Sequence, residues 1–279
     1  MSDAQFCPVG KLEKLLLSTD GSQYSEGAIR EAISFASKCS SRLYVCMVLE
    51  TNPEYETIGS SVFEKEEAEA EAHLASIRSR AEEEGLECET VFHESVEASQ
   101  AIVDEAIENK VDMIVIGRRG RKGLAKALLG EIAAKVIAHA PCKVMVVPRA
   151  ARIEYKNILV ATDGSAHSDA ALTEAVAIAK RCGSHLIALS AMRDESGQEE
   201  AKKQVAKAAE LAQKEGVSAE AVTPMGRPSE EIVETAGGRG VDLIVMGTYG
   251  KTGIKKLLMG SATEKVIGYA GCAVLVVKA

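Results

Sequence analysis

Several residue types are scarce or absent in this chain of 279 residues. It contains no Trp, only four Phe and six Tyr, so an aromatic platform for stacking nucleic-acid bases is poorly supplied. Its net charge of −8 also opposes binding to a phosphate backbone. No apolar run approaches the ~18 residues that span a bilayer, and the first residues do not resemble a secretory signal. We therefore expect a cytoplasmic protein with no membrane or nucleic-acid partner.

The cysteines are few, and their spacing points to no site. There are seven, an odd number, and no two of them form a Cys-x-x-Cys pair. This pattern excludes a small disulfide-rich scaffold and gives no sign of a zinc site. We expect reduced thiols that serve as small buried residues, and no metal site.

The chain contains an internal duplication. Residues 14–43 align without gaps on 157–186 with 13 of 30 positions identical, and residues 111–147 align on 241–277 with 18 of 37 identical. A repeat of this length is a whole domain rather than a solenoid unit. We therefore predict two tandem domains, residues 1–150 and 151–279. The first copy has 13 extra residues, which we assign to a loop around 51–64.

Each copy alternates short apolar runs with helical patterns. In the second copy, residues 158–161 indicate a buried strand, Asp163-Gly164-Ser165 a turn, and residues 170–181 a helix. Continuous apolar strands that alternate with helices are typical of a parallel sheet covered on both faces. The predicted fold class is therefore α/β and doubly wound, once in each copy.

Sheets of this kind bind ligands beyond the carboxyl ends of their strands. In the second copy, residues 247–261 follow the predicted fourth strand and contain four glycines before Ser261. Glycines let a backbone approach phosphates closely, and the helix that Gly260-Ser261 opens attracts anions at its first turn. Taken alone, this spacing leaves an ordinary surface turn as an equal alternative.

The combination of motifs resembles a known family. Gly247-x2-Gly250-x9-Gly260-Ser261, together with Asp163 after the first strand, is similar to the nucleotide-binding motif of universal stress proteins. The resemblance covers both copies, from 14 to 147 and from 156 to 277. It implies that each copy is a five-stranded parallel sheet of the adenine nucleotide α-hydrolase-like kind. It also implies that the two copies pack as a pseudo-two-fold pair.

The resemblance further implies a site for ATP, or for ADP or AMP, in the second copy. Asp163 and Ala191 would meet adenosine, the glycine loop would hold the phosphates, and Mg²⁺ bound with the nucleotide is a further expectation. The residues carried over are Thr162, Asp163, Ala191, Gly226, Met246, Gly247, Gly250, Gly253, Gly260, Ser261, Ala262 and Thr263.

The first copy departs from the family's motif. Its loop keeps the glycine spacing, but Glu131 stands where Ser261 would touch a phosphate, and Val96-Glu97-Ala98 replaces Gly226-Arg227-Pro228. We expect a weaker nucleotide site there, and a scaffold role for this copy stays open. The residues of that site are Thr19, Asp20, Val48, Gly117, Gly120 and Gly130. The five basic residues within 118–126 favour a solvated charged loop over a rescued anion site.

Neither copy shows a catalytic constellation. The five His residues have no context typical of a nucleophilic or zinc enzyme, and His93 is expected to have a structural role. We therefore predict no catalytic residue. The sequence favours a nucleotide-binding stress-response or signalling module. The two alternatives are a weak ATPase or adenylate-handling enzyme, and an interaction scaffold with one ligand-binding domain.

Each copy ends in an apolar strand, at residues 144–147 and 273–277. A strand at the edge of a sheet tends to pair with another strand. We therefore expect the two last strands to pair within the chain, and a homodimer through other surfaces is a further option.

Overall fold

The two halves of the chain repeat one order of strands and helices. The structure is a computed structural model that describes residues 7–10, 12–51, 60–120, 129–250 and 259–279. The elements of the first half are β1 Lys14–Thr19, α1 Glu26–Cys39, β2 Arg42–Glu50, α2 Ser60–Glu83, β3 Cys88–Ser95, α3 Ala98–Glu108, β4 Met113–Gly117, α4 Glu131–His139 and β5 Lys143–Val147. Those of the second half are β6 Asn157–Ala161, α5 Ala166–Cys182, β7 His185–Leu189, α6 Gln198–Lys214, β8 Ala219–Val222, α7 Pro228–Gly238, β9 Leu243–Gly247, α8 Ser261–Tyr269 and β10 Ala273–Val277. The predicted α/β class is confirmed.

The strands form one ten-stranded sheet in the order β3-β2-β1-β4-β5-β10-β9-β6-β7-β8. Within each half, all neighbouring strands are parallel. The halves meet where β5 and β10 pair antiparallel, with Val146 opposite Val274 and Val144 opposite Val276. Because of this antiparallel join, the carboxyl ends of the strands point in opposite directions in the two halves.

Two layers of buried side chains cover the two faces of the sheet. In β1, Leu15 and Leu17 belong to the layer under α1, α2, α5 and α6, whereas Leu16 belongs to the layer under α3, α4, α7 and α8. Both layers contain residues from both halves of the chain. A strand buried on both faces needs apolar residues at successive positions, and this explains the continuous apolar runs of the sequence.

The segment between the two halves packs against α1. The hypothetical Cβ of Gly27 would lie 2.4 Å from the carbonyl oxygen of Pro148, so the helix and the segment touch backbone to backbone. The Ile153 N–H donates to the buried Glu31 carboxylate at 3.4 Å. The ring of Tyr155 meets that of Phe35 edge to face, with centroids 5.9 Å apart. These contacts fix the connecting segment to the first half.

The first half carries a longer second helix than the second half. α2 has 24 residues and α6 has 17. The expected loop around 51–64 is therefore wrong from Ser60 onward, because that serine begins α2. Serine is common at helix starts, so it does not separate a loop from a helix terminus. Residues 52–59 of that expected loop lie outside the described residues. None of the described helices is both long and apolar enough to cross a bilayer.

Two of the cysteines are joined. Cys7 and Cys39 form a disulfide, so the expectation of reduced thiols is wrong for this pair. This pairing could not be predicted because 32 residues separate the two cysteines. When the alignment of the copies is extended back to Cys7, Ala150 stands opposite it, so the repeat shows no second cysteine there. The other five cysteines are free. Burial raises the pKa of Cys142 and Cys272 to about 12, which agrees with a packing role.

Candidate functional site

A cleft of about 620 Å³ lies beyond the carboxyl ends of β6, β7 and β9. This is the position where sheets of this class bind ligands. The residues proposed for the second nucleotide site that line this cleft are Thr162, Asp163, Ala191, Gly226, Met246, Gly247, Gly250, Gly260, Ser261, Ala262 and Thr263. Gly253 lies outside the described residues. The fold thus brings the described candidates together, and their contact with a ligand stays a prediction.

The turn after β6 positions the Asp163 carboxylate. Gly164 makes the turn with a φ of 76°, in the region that favours glycine. Asp163 Oδ1 accepts a hydrogen bond from the Ser165 N–H at 3.0 Å. Ser165 also caps α5, where its hydroxyl oxygen accepts from the Ser168 N–H at 3.3 Å. The same hydroxyl donates to the Tyr249 carbonyl at 3.3 Å, so the turn holds the glycine loop.

At two glycines, the loop after β9 approaches the neighbouring residues too closely for a Cβ atom to fit without a shift. A Cβ on Gly250 would lie 2.4 Å from Asp163 Oδ2. A Cβ on Gly247 would lie 2.7 Å from the backbone carbonyl carbon of His167. Real Cβ atoms do not approach other atoms this closely. A larger residue at Gly247 must therefore displace backbone, and one at Gly250 must displace the Asp163 carboxylate or the loop. The Gly-x2-Gly spacing therefore reflects the packing of the loop on the turn after β6 and on α5.

The first turn of α8 closes the cleft on the other side of the loop. The Gly260 N–H donates to the Thr248 carbonyl at 3.0 Å, and α8 begins at the next residue without a side-chain cap. Uncapped N–H groups and the helix dipole favour an anion here. The Thr263 hydroxyl is buried and donates to the Gly247 carbonyl at 3.0 Å, so it holds the loop. Ser261 is exposed and presents its hydroxyl at the cleft.

Three cations line the cleft that sequence reasoning did not assign to the site. They are Arg193, Arg227 and Lys265, and all three are exposed. Leu189, Ile232 and Met246 supply an apolar wall. The available signal was positional: Arg193 lies two residues after Ala191, and Arg227 is the middle residue of Gly226-Arg227-Pro228. An apolar wall with cations at the opening suits a planar ring that carries an anionic tail.

The described lining of the cleft contains few acidic side chains. Among its described lining residues the carboxylate is that of Asp163, and there is no His or Cys. The Ser168 hydroxyl donates to the Ser165 carbonyl at 2.9 Å, so no base activates it. Within the described ranges, no group of three His, Cys, Asp or Glu residues could hold a metal ion. The arrangement supports binding.

The equivalent turn of the first half keeps the same backbone plan. Thr19 is buried, and its hydroxyl lies 3.0 Å from His73 Nε2. Asp20 Oδ1 accepts from the hydroxyls of Ser22 and Ser25 at 2.8 and 2.6 Å. A Cβ on Gly120 would lie 3.0 Å from Asp20 Oδ2, so the glycine loop again approaches the aspartate. The first half therefore repeats the turn after its first strand and the approach of the glycine loop to the aspartate.

The remaining candidates of the first half lie nearby. Val48 is half-buried against the core, and Gly117 ends β4 with its Cβ position 3.2 Å from the Tyr24 carbonyl oxygen. Gly130 precedes α4, and its N–H donates to the Arg118 carbonyl at 2.9 Å. His93 binds the buried Glu105 carboxylate at 2.8 Å, which agrees with a structural role.

The charges around the first turn of α4 differ from those around α8. Lys135, the equivalent of Lys265, lies 2.9 Å from the Glu131 carboxylate and 3.0 Å from the Glu97 carboxylate. The hydrogen bonds that Lys135 donates to Glu131 and, second, to Glu97 raise the pKa of Lys135, and the bond to Glu97 lowers the pKa of Glu97. By alignment, Glu50 stands where the second half has Arg193. Of the three positions that align with Arg193, Arg227 and Lys265, Lys135 alone carries a cation, and it is flanked by carboxylates.

Arg118 departs from the sequence expectation. A solvated charged loop was expected over 118–126, yet Arg118 is half-buried and its Nη1 donates to the Ala270 carbonyl of the other half at 2.7 Å. Burial, with the charge of Arg119 second, lowers the pKa of Arg118. The expectation failed because the contact joins residues 152 positions apart. Residues 121–128 lie outside the described residues.

Comparisons with known proteins agree with both the fold and the repeat. A family model described as "Universal stress protein family" matches residues 11–148 and 154–278. Universal stress protein MJ0531 of Methanocaldococcus jannaschii is 37% identical over 145 residues, which cover 49% of this chain and 82% of that protein. A Thermus aquaticus universal stress protein is 37% identical over 44% of this chain and 99% of its own length. The crystal structure of a universal stress protein from Archaeoglobus fulgidus DSM 4304 covers 96% of this chain and 97% of its own, with a TM-score of 0.78 and 21% identity.

Proposed function

Since the chain belongs to the universal stress protein family, we propose that it is an adenine-nucleotide-binding module of stress response or signalling. The nucleotide binds mainly in the cleft of the second half. The single observation that carries this proposal is the juxtaposition, in one cleft, of an apolar wall, the Asp163 carboxylate, two close-packed glycines and the uncapped start of α8.

Each part of the cleft suits one part of ATP. The wall of Leu189, Ile232 and Met246 covers the adenine ring, and the Asp163 carboxylate accepts hydrogen bonds from ribose hydroxyls. The start of α8, with the Ser261 hydroxyl, binds phosphate oxygens. The cations at the opening add attraction for the triphosphate. Magnesium would be held chiefly by the phosphates of the nucleotide, as is usual for this ion.

We propose one nucleotide per chain. In the first half, Glu131 and Glu97 surround the one lysine that matches a cation of the second cleft, so a polyphosphate meets carboxylates there. The first half then serves as a scaffold, and the antiparallel pairing of β5 with β10 holds the two halves together in solution. Assembly of such chains into a homodimer would use other surfaces.

A titration of MgATP into the full chain, followed by calorimetry, tests the proposal. Wild-type protein should bind with a stoichiometry near one, and Gly250→Ala should lose at least about tenfold in affinity because its Cβ would lie 2.4 Å from Asp163 Oδ2. Gly120→Ala is the matched control, since it makes the same change beside Asp20 in the first half. Its affinity should stay close to that of the wild type.

Equal losses in the two variants would contradict the assignment of the nucleotide to the second half. A wild-type chain that shows no heat of binding with ATP, ADP or AMP would contradict the proposed function itself.

A further inference from the structure

Helix α8 connects the proposed nucleotide site with the other half of the chain. Its first residue, Ser261, lines the cleft, and the carbonyl of Ala270, directly after its last residue, accepts the hydrogen bond of Arg118 at 2.7 Å. The helix has nine residues, so about 13 Å separates its two ends. Val266 and Ile267 are buried in the core along its length, and the helix therefore acts as a short rigid rod.

Arg118 occupies a position that the two halves use differently. Its equivalent in the second half is Thr248, which is fully buried and whose hydroxyl donates to the Val277 carbonyl of its own half at 3.2 Å. Arg118 instead leaves its own half after β4 and reaches the end of α8. Its backbone carbonyl still accepts from the Gly130 N–H at 2.9 Å, so the arginine remains part of the first glycine loop.

A second cation makes the reciprocal contact from a different position. Lys278, after β10, donates to the Ala138 and Ala140 carbonyls at 3.0 and 2.6 Å. These carbonyls lie at the end of α4, which is the equivalent of α8 in the first half. The equivalent helices α8 and α4 are therefore each capped at the C-terminal end by a cation from the opposite half.

We propose that Arg118 is a positioning residue for the nucleotide site of the second half, and that it couples this site to the glycine loop of the first half. The inference rests on the proposed function. A cation at the C-terminal end of a helix stabilises the helix through its dipole and its last carbonyls. Arg118 thus holds α8 at the end opposite the phosphates, and any tightening at Ser261 is transmitted to residues 117–120 and 130.

The reciprocity of linked equilibria gives the coupling a measurable form. If Arg118 favours the arrangement of α8 that binds phosphate, then bound nucleotide must favour the Arg118 contact to the same extent. Hydrogen exchange in the first glycine loop should therefore slow when ATP binds at the opposite end of α8. A cation with a purely structural role at the junction of the halves would not produce this effect.

The test compares Arg118→Ala with Lys278→Ala in the full chain. Both variants lose a cross-half helix cap and should lose similar thermal stability, but only Arg118→Ala should weaken ATP binding, by about threefold to tenfold. Arg118→Lys should recover part of the affinity, because it can still donate one hydrogen bond to the Ala270 carbonyl. Hydrogen exchange is measured for wild type and both variants, with and without ATP.

In wild type, ATP should slow exchange in α8 and at residues 117–120, and in Arg118→Ala the protection should remain in α8 alone. Unchanged ATP affinity in Arg118→Ala, or an equal loss of affinity in Lys278→Ala, overturns the inference. If ATP still protects α8 from exchange in wild type, the proposed function stands. The absence of ATP protection in α8 of the wild type overturns both.

Discussion

At the scale of single residues, the two halves differ in the residue before their third helix. Arg227 precedes α7 and lines the second cleft, whereas Glu97 precedes α3 and is 3.0 Å from Lys135. A carboxylate at a helix N-terminus interacts favourably with the helix dipole, and an arginine there does not. The start of α7 is therefore less well stabilised than that of α3, and Arg227 places a cation at the cleft.

Arg227→Glu should lower ATP affinity without lowering the stability of the fold. The change reverses one charge near the triphosphate, which at roughly 1 kcal/mol corresponds to about a fivefold weaker Kd for ATP. AMP should lose less because it carries fewer negative charges, and the loss should shrink at high salt. Calorimetric titrations with both nucleotides at two salt concentrations measure this.

Arg239→Glu supplies the control for net charge, since Arg239 lies at the other end of α7 and pairs with Glu220 at 2.6 Å. The cation assignment would be refuted by an equal loss of ATP affinity in Arg239→Glu, or by identical losses for ATP and AMP in Arg227→Glu.

At the scale of elements, α1 anchors the segment that joins the two halves through a buried carboxylate. Burial raises the pKa of Glu31 above its ordinary value of 4.5, although the hydrogen bond to Arg30 opposes the shift. The folded protein therefore holds this proton more tightly than the unfolded chain does. The stability that Glu31 contributes is fully present below its unfolded pKa and is lost as the pH rises through its raised folded pKa.

Glu31→Gln should remove this pH dependence while keeping an oxygen that accepts from the Ile153 N–H. The Tm of the variant relative to wild type should consequently rise as the pH is increased from about 4 to about 7. Thermal melts across that range measure the difference. A difference that stays constant with pH would show that the carboxyl of Glu31 does not titrate differently in the folded chain.

Glu174→Gln is the matched control in α5. Glu174 is the equivalent of Glu31, and its carboxylate lies 2.8 Å from Lys143 Nζ at the start of β5. Its loss removes a partly buried ion pair, so this variant should have a lower Tm than wild type at neutral pH.

Local features of the second cleft could be predicted from the sequence, because they depend on short spacings. Asp163, Gly250 and Gly260 lie on turns whose geometry is set within a few residues, and the structure brings them into one cleft. Arg193 and Arg118 could not be assigned in the same way. Arg193 is an exposed side chain outside any periodic pattern, and the partner of Arg118 is defined only once two distant helices pack.

The same distinction applies to the cysteines and to α2. Cys39 aligns with Cys182 in the repeat, yet it pairs with Cys7, which lies before the aligned residues 14–43. Ser60 resembles a loop residue by composition, and only the packed length of α2 shows that it begins a helix.

At the scale of the whole molecule, the junction of β5 and β10 makes one sheet out of two. Val146 and Val276 are almost fully buried there, opposite Val274 and Val144. The double variant Val146→Glu, Val276→Glu should lose the fold or aggregate, because it buries two unpaired carboxylates in the middle of the sheet. Light scattering and the cooperativity of thermal unfolding report the outcome.

Val96→Glu is the control, since Val96 is exposed in the first half and should tolerate the charge. A soluble, well-folded double variant whose halves unfold independently would contradict the proposal that this strand pair holds the halves together.

Because β5 and β10 belong to one chain, their pairing does not depend on the protein concentration. Two separate subunits associate by mass action, so the paired fraction falls when the protein becomes dilute. Strands on one chain meet at an effective concentration that does not depend on how many copies a cell makes. Under the proposed function, the occupied fraction of the second cleft then depends on the free nucleotide concentration and not on whether the two halves have found each other, from the first copies synthesised to full expression.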